Sequence, residues 1–182
     1  NFIQGKQLYA AAFHVASNLT VRNNILVSKY SYALGVIAGN NVGSPDPSAN
    51  YFYNNTLYKP DTNIANSFSA VGVFGTGYSG LVFKNNLAYG PNNIHDGATN
   101  GSAATFIAAQ NGVLGVNYTL QNNSTNAQVH GVHPFAIALP VNAVDFVPAG
   151  YATSGNGVAV PVWEDFLQAP VTTMRSLGAI LQ

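Results

Sequence analysis

His95-Asp96 is the most chemically loaded dipeptide of this 182-residue chain, and Lys59 and Asp61 occupy a second loop of similar make-up. An imidazole and two carboxylates brought together can serve as a general acid/base set or hold a hard cation such as calcium through oxygen ligands. Lys59 adds a cation able to neutralise a substrate carboxylate. The same residues also read as solvated loops, with Asp96 capping a turn and His95 in water. Which reading holds depends on the elements that carry them. The loops are residues 59–66 and 90–101, and each follows an Asn-Asn pair; Pro60 and Pro91 stand at the same offset from those pairs, with Asp61 and Asn92 next. Repeats stacked in register would make Asp61 and Asn92 neighbours.

The pairs themselves are Asn23-Asn24, Asn54-Asn55, Asn85-Asn86 and Asn122-Asn123. The first three are 31 residues apart (23 to 54, 54 to 85) and the last 37 (85 to 122), the surplus falling in one loop. A fixed period of this size is the signature of a stacked-coil protein. Before each pair runs a short β-branched or aromatic segment: residues 18–22, 50–53, 80–84 and 116–121. After the first three come Ile25-Leu26-Val27, Thr56-Leu57-Tyr58 and Leu87-Ala88-Tyr89, and a third apolar element recurs at 34–39, 70–75 and 105–109. Each is bounded by turn residues, a strand signal. Asn suits a bend between strands because it tolerates left-handed backbone angles and its amide can bond nearby backbone. In register, the Asn side chains would form a buried ladder, and Asn55→Ala is expected to cost about 1–3 kcal/mol by stranding buried polar groups.

Three strands per repeat and an Asn ladder resemble the right-handed parallel β-helix superfamily, which contains pectate-lyase-like polysaccharide lyases, glycosidases, phage tailspikes and adhesins. The repeat covers roughly residues 10–130 and is specific for fold, far less so for activity. A second resemblance covers residues 145–180. Asp145-Phe146-Val147-Pro148, Ser154, Gly157, Val160-Pro161-Val162, Asp165-Phe166, Arg175 and Gly178-Ala179 are similar to the closing segment of many secreted bacterial β-helix proteins. Those often end in an acidic Gly-Ala-Tyr-Glu-like tail, and this chain ends Gly178-Ala179-Ile180-Leu181-Gln182 instead. The expected architecture is therefore all-β: about four right-handed parallel β-helix coils over residues 1–139 and a closing segment over 140–182, with Val160, Val162, Trp163 and Phe166 plugging the last coil.

The resemblance implies a groove beside loops 59–66 and 90–101. Lys59, Asp61, His95 and Asp96 are its catalytic candidates, Asn92 and Asn93 its binding candidates, and Trp163 either stacks on a sugar or packs as core. Remaining titratable groups carry less. Arg22 and Lys84 share the position before their Asn pairs and read as a solvated row. His14 lies in an apolar stretch and reads as a strand residue. His130 and His133 have chelate spacing, yet no third ligand stands nearby. Asp46 reads as turn chemistry, and Glu164-Asp165 as capping in the closing segment.

Only 7% of residues are charged and the net charge is zero, which argues against nucleic acid and against electrostatic attachment to acidic lipid. There is no Cys, hence no disulfide framework and no thiolate metal site. Hydrophobic content of 47% argues for a packed core, and no run approaches a transmembrane helix. Six Asn-X-Ser/Thr sequons begin at Asn18, Asn54, Asn100, Asn117, Asn122 and Asn123; in so Asn-rich a chain they arise by chance. Asn1-Phe2-Ile3-Gln4-Gly5 reads as the middle of a strand, so a processed chain or one piece of a longer β-helix is expected. Two function classes remain open. One is a secreted carbohydrate-associated β-helix, a lyase or glycosidase part that engages polysaccharide or cell-surface glycan. The other is a non-catalytic fibre or adhesin subunit whose first coil stacks on further coils or other copies.

Overall fold

The structure is a computed structural model, described here at residues 1–5, 9–14, 17–28, 32–37, 48–58, 69–74, 79–89, 107–110, 118–121, 135–137, 140–149, 164–170 and 178–180; several strands are described by their backbone alone. Among the described residues twelve strands follow in order: β1 Phe2–Gly5, β2 Tyr9–His14, β3 Thr20–Arg22, β4 Ile25–Ser28, β5 Tyr32–Ile37, β6 Ser48–Tyr53, β7 Thr56–Tyr58, β8 Ser69–Phe74, β9 Ser79–Lys84, β10 Leu87–Tyr89, β11 Ile107–Gln110 and β12 Tyr118–Gln121. Every strand pairs in parallel with the strand three places along. This yields a first sheet β1-β4-β7-β10, a second β2-β5-β8-β11 and a third β3-β6-β9-β12. Residues 31 apart sit side by side: Val21 pairs with Phe52, Phe52 with Phe83, and Leu26 with Leu57. The chain thus visits the three sheets in the same order on each circuit, an all-β arrangement compatible with a parallel β-helix. Among the described residues no helix is long and apolar enough to cross a membrane.

The bend from the third sheet into the first is always the Asn pair. Its first member takes a left-handed backbone, with φ of 53° at Asn23, 50° at Asn54 and 56° at Asn85, a conformation Asn reaches more readily than other residues with a Cβ. The second member turns its side chain inward as a ladder rung. Asn24 Nδ2 donates to Asn55 Oδ1 at 3.0 Å, and Asn55 Nδ2 donates to Asn86 Oδ1 at 2.9 Å. The same acceptors take the rung's own backbone N–H, from Asn24 at 3.1 Å and Asn55 at 3.0 Å. The remaining amide hydrogens reach carbonyls of the preceding circuit, Asn55 to Val21 and Asn86 to Phe52, each at 3.0 Å. Asn1 is a further rung, its Nδ2 donating to Asn24 Oδ1 at 2.9 Å. The expected rungs Asn122 and Asn123 lie outside the described residues.

Alternation along each strand divides the side chains between an inner and an outer face of its sheet. Phe52 and Phe83 stack on the inner face with ring centroids 4.7 Å apart and planes 11° apart, and Phe13 meets Phe52 edge-on at 6.2 Å. Leu26 and Leu57 are buried beside them. The outward row of the first sheet is buried too. Ile25, Val27, Tyr58 and Leu87 pack with Phe135, Phe146, Ala179 and Ile180 in one cluster, joined by Phe2, Ala143, Val147 and Phe166. Burial on both faces explains the unbroken apolar run of β4, since a strand with one wet face would alternate. Tyr58, Phe135 and Phe146 meet edge-on at 5.2 to 5.9 Å.

The C-terminal residues therefore form a side layer over the first sheet. Phe166 packs on that sheet's outer face, which differs from the end plug anticipated for it; Val160, Val162 and Trp163 lie outside the described residues. The reason is that the outward row of the first sheet is itself apolar and needs a cover. Phe135 bridges Pro148, and a short 3-10 turn, Ala143–Phe146, carries Phe146 into the cluster. Asp145 fastens that turn by accepting the N–H groups of Val141 and Asn142 at 3.0 and 2.7 Å. Gly178, at φ 91°, comes so close that a Cβ there would stand 2.7 Å from Thr56 Oγ1. Its N–H donates to Asn85 O at 2.9 Å, and the Ala179 N–H donates to Thr56 Oγ1 at 3.0 Å.

Candidate functional site

Loops 59–66 and 90–101 depart from the first sheet, whose strands β7 and β10 hold Tyr58 and Tyr89 in register. Lys59, Asp61, Asn92, Asn93, His95 and Asp96 leave from these paired strand ends and lie outside the described residues, as do Trp163, Asp46, His130 and His133. His14 ends β2, where the sequence places a strand residue. Among the described residues no three of His, Asp and Glu gather as a metal site. Asp165 is buried and accepts the Ala169 N–H on Oδ1 at 2.9 Å, the turn-fastening use expected of Glu164-Asp165. Glu164 contributes its backbone carbonyl, which accepts from Asn23 Nδ2.

The outer face of the third sheet brings polar and aromatic groups together. Register places Arg22, Tyr53, Lys84 and Gln121 in one row, and Thr20, Tyr51, Val82 and Thr119 in the next. Strands lie about 4.8 Å apart, so Arg22 and Lys84 flank Tyr53 at a separation of about 10 Å. Both cationic side chains are half-buried. Tyr53 is only 7% exposed and its pKa is raised, first by burial and then by the neighbouring Tyr51. Its hydroxyl is therefore a neutral group at physiological pH. Tyr51 keeps a half-exposed ring 5.9 Å from that of Tyr53. A half-exposed aromatic face such as that of Tyr51, beside a row that carries Arg22 and Lys84, can stack on an apolar ring face while the cationic groups hydrogen-bond hydroxyl or carboxylate substituents.

Sequence reasoning identified the Arg22 and Lys84 row but not Tyr51 and Tyr53. The signal was present: in Asn50-Tyr51-Phe52-Tyr53 the alternation that sends Phe52 inward sends both tyrosines outward.

A separate opening lies beside β1, β2 and β3, the outermost of the described strands in the three sheets at that side. There a cavity of about 270 Å³ is lined by Ile3, Ala11, Phe13, Val21 and Leu26, with Asn1, Thr20, Arg22 and Asn24 also contributing. No family model, curated protein or solved structure matches the chain.

Proposed function

We propose that the chain is a parallel β-helix of pectate-lyase-like type that works outside the cell as a carbohydrate-associated protein. The observation that supports this most is the outer face of the third sheet, where Tyr51 offers a ring face beside Arg22, Tyr53 and Lys84. A rigid parallel sheet holds such groups at fixed spacing, which suits a long repeating polymer better than a compact ligand. The low overall charge fits recognition through stacking and hydrogen bonds. Affinity electrophoresis of the protein through gels containing neutral or acidic polysaccharides tests the reading. Retardation by at least one polymer, weakened in Y51A and in R22Q/K84Q, is the expected result; equal mobility in every gel overturns it.

The catalytic candidates are Lys59, Asp61, His95 and Asp96, as a general acid/base set or as a hard-cation site in which the two carboxylates would ligate a calcium ion. Release of reducing or unsaturated ends from the retained polymer, lost in D61N or H95Q, assigns that role. A second reading, a non-catalytic structural or adhesive subunit, is favoured by the cavity beside β1, β2 and β3, the outermost of the described strands, where Ile3, Phe13, Val21 and Leu26 meet. Concentration-dependent growth into rods, seen by light scattering and blocked by Ile3→Lys, would select it.

A further inference from the structure

We propose that Asn18 is an N-glycan acceptor and that the attached sugar shields the exposed edge of the third sheet. The inference rests on the extracellular placement proposed above. Of the sequons in the chain, the structure describes two acceptor positions, and their environments are opposite. Asn18 is exposed, sits at the bend before β3 with φ 59°, and its side chain makes no hydrogen bond among the described residues; Thr20, which completes the sequon, is exposed as well. Asn54 is fully buried, and its partner Thr56 is buried with Oγ1 accepting from the Ala179 N–H. A sugar on Asn54 would have to displace the C-terminal layer.

Register adds a second argument. Thr20 shares its row with Tyr51, Val82 and Thr119, and among the described strands β3 and β12 are the two edges of the third sheet. In sequence a sequon runs into each of these strands, Asn18-Leu19-Thr20 into β3 and Asn117-Tyr118-Thr119 into β12. On the two central strands the matching triplets are Ala49-Asn50-Tyr51 and Gly80-Leu81-Val82, which are not sequons. An unpaired parallel edge is a template for association, and a bulky hydrated group beside it prevents another strand from docking. Transfer forms a bond between Asn18 Nδ2 and C1 of the first sugar of a polyprenyl-diphosphate-linked oligosaccharide. The bond from C1 to the diphosphate oxygen breaks, the diphosphate leaves with the electron pair, and the amide proton passes to solvent.

The test is expression behind a secretion leader in a glycosylating eukaryotic host, followed by peptide mapping with mass spectrometry before and after endoglycosidase. The leader makes entry to the secretory pathway independent of the native location, and polysaccharide retardation is measured separately on protein from a non-glycosylating host. A glycan on Asn18 is expected, retained in T20S and lost in both T20A and N18Q, with Asn54 unmodified. Secreted protein bare at Asn18, or carrying sugar on Asn54, overturns the assignment. Enzymatic removal of the glycan should raise the mass seen by light scattering, and an unchanged mass would remove the shielding role.

Discussion

Asn54 and Asn55 are adjacent, both fully buried, and do opposite work. The Asn55 amide takes part in four hydrogen bonds, accepting from the Asn24 backbone and side chain and donating to Val21 O and Asn86 Oδ1. The Asn54 amide makes none on either atom, and the Oδ1 of Asn23 in the same row is unpartnered as well. What the outer row contributes is backbone: a left-handed bend, and peptide groups that bond along the stack, such as Asn54 N–H to Lys84 O at 3.1 Å. At Asn55 the side chain carries the stack and at Asn54 the φ angle does, whereas Asn23 adds an Nδ2 bond to the Glu164 carbonyl. Equal burial and equal residue type thus conceal unequal consequences of substitution.

The largest effect is expected at Asn55→Ala. Four bonds lost at once raise the sequence-based figure to about 3–5 kcal/mol, because the buried groups left behind pay desolvation without compensation. Urea unfolding measures it, and a loss under 1 kcal/mol would dissolve the distinction between the rows. Next comes Gly178→Ala, which forces a Cβ onto Thr56 Oγ1 at a positive φ and breaks the docking of the C-terminal layer to the outer row. About 2–4 kcal/mol is expected, together with loss of hydrogen-exchange protection at Ala179. At Asn54 the comparison is sharpest. Asn54→Ala should cost about 1–2 kcal/mol through left-handed strain, whereas Asn54→Gly removes the buried amide, keeps the bend, and should be neutral or slightly stabilising. Equal losses in the two variants would mean that the side chain matters after all.

Ala49, at φ 54° on β6, supplies a control outside the Asn pairs. Ala49→Gly should gain about 1 kcal/mol, since it relieves the same strain with no side-chain bond at stake. The smallest expected effect is acid loosening of the turn at Asp145. The N–H groups of Asn142 and Val141 hold its carboxylate below the usual pKa. A depressed carboxylate contributes stability above its unfolded value, and that contribution falls away as pH drops through the folded value, below about pH 4. Faster amide exchange at residues 141–142 in acid, absent in D145N, is the check.

Local chemistry was readable where one residue type had one reason to be there. The Asn pairs marked the bend, and the strands around them followed from short apolar runs between turn residues. The rung at Asn1 escaped because the first circuit is shorter: Phe2 pairs with Ile25, 23 positions on, so the 31-residue period steps past it. The second core over the first sheet was visible only as the unalternating run of β4, with nothing local to say that Phe135, Phe146 and Ile180 would cover it. Such long-range packing depends on shape complementarity between distant segments, and periodicity carries no record of it. His95, Asp96, Asp61 and Lys59 are legible as types, and the strand pattern does not encode where loop residues point; all four lie outside the described residues.

The rungs all face the same way, from Asn1 to Asn24, Asn55 and Asn86. Each amide that donates is also polarised by the one behind it, so the column is a cooperative chain of aligned dipoles. A molecule with no net charge thereby acquires an electrically directional axis, carbonyl ends toward Asn1 and amide hydrogens toward Asn86. Interrupting the column in the middle should cost more than removing its outermost member.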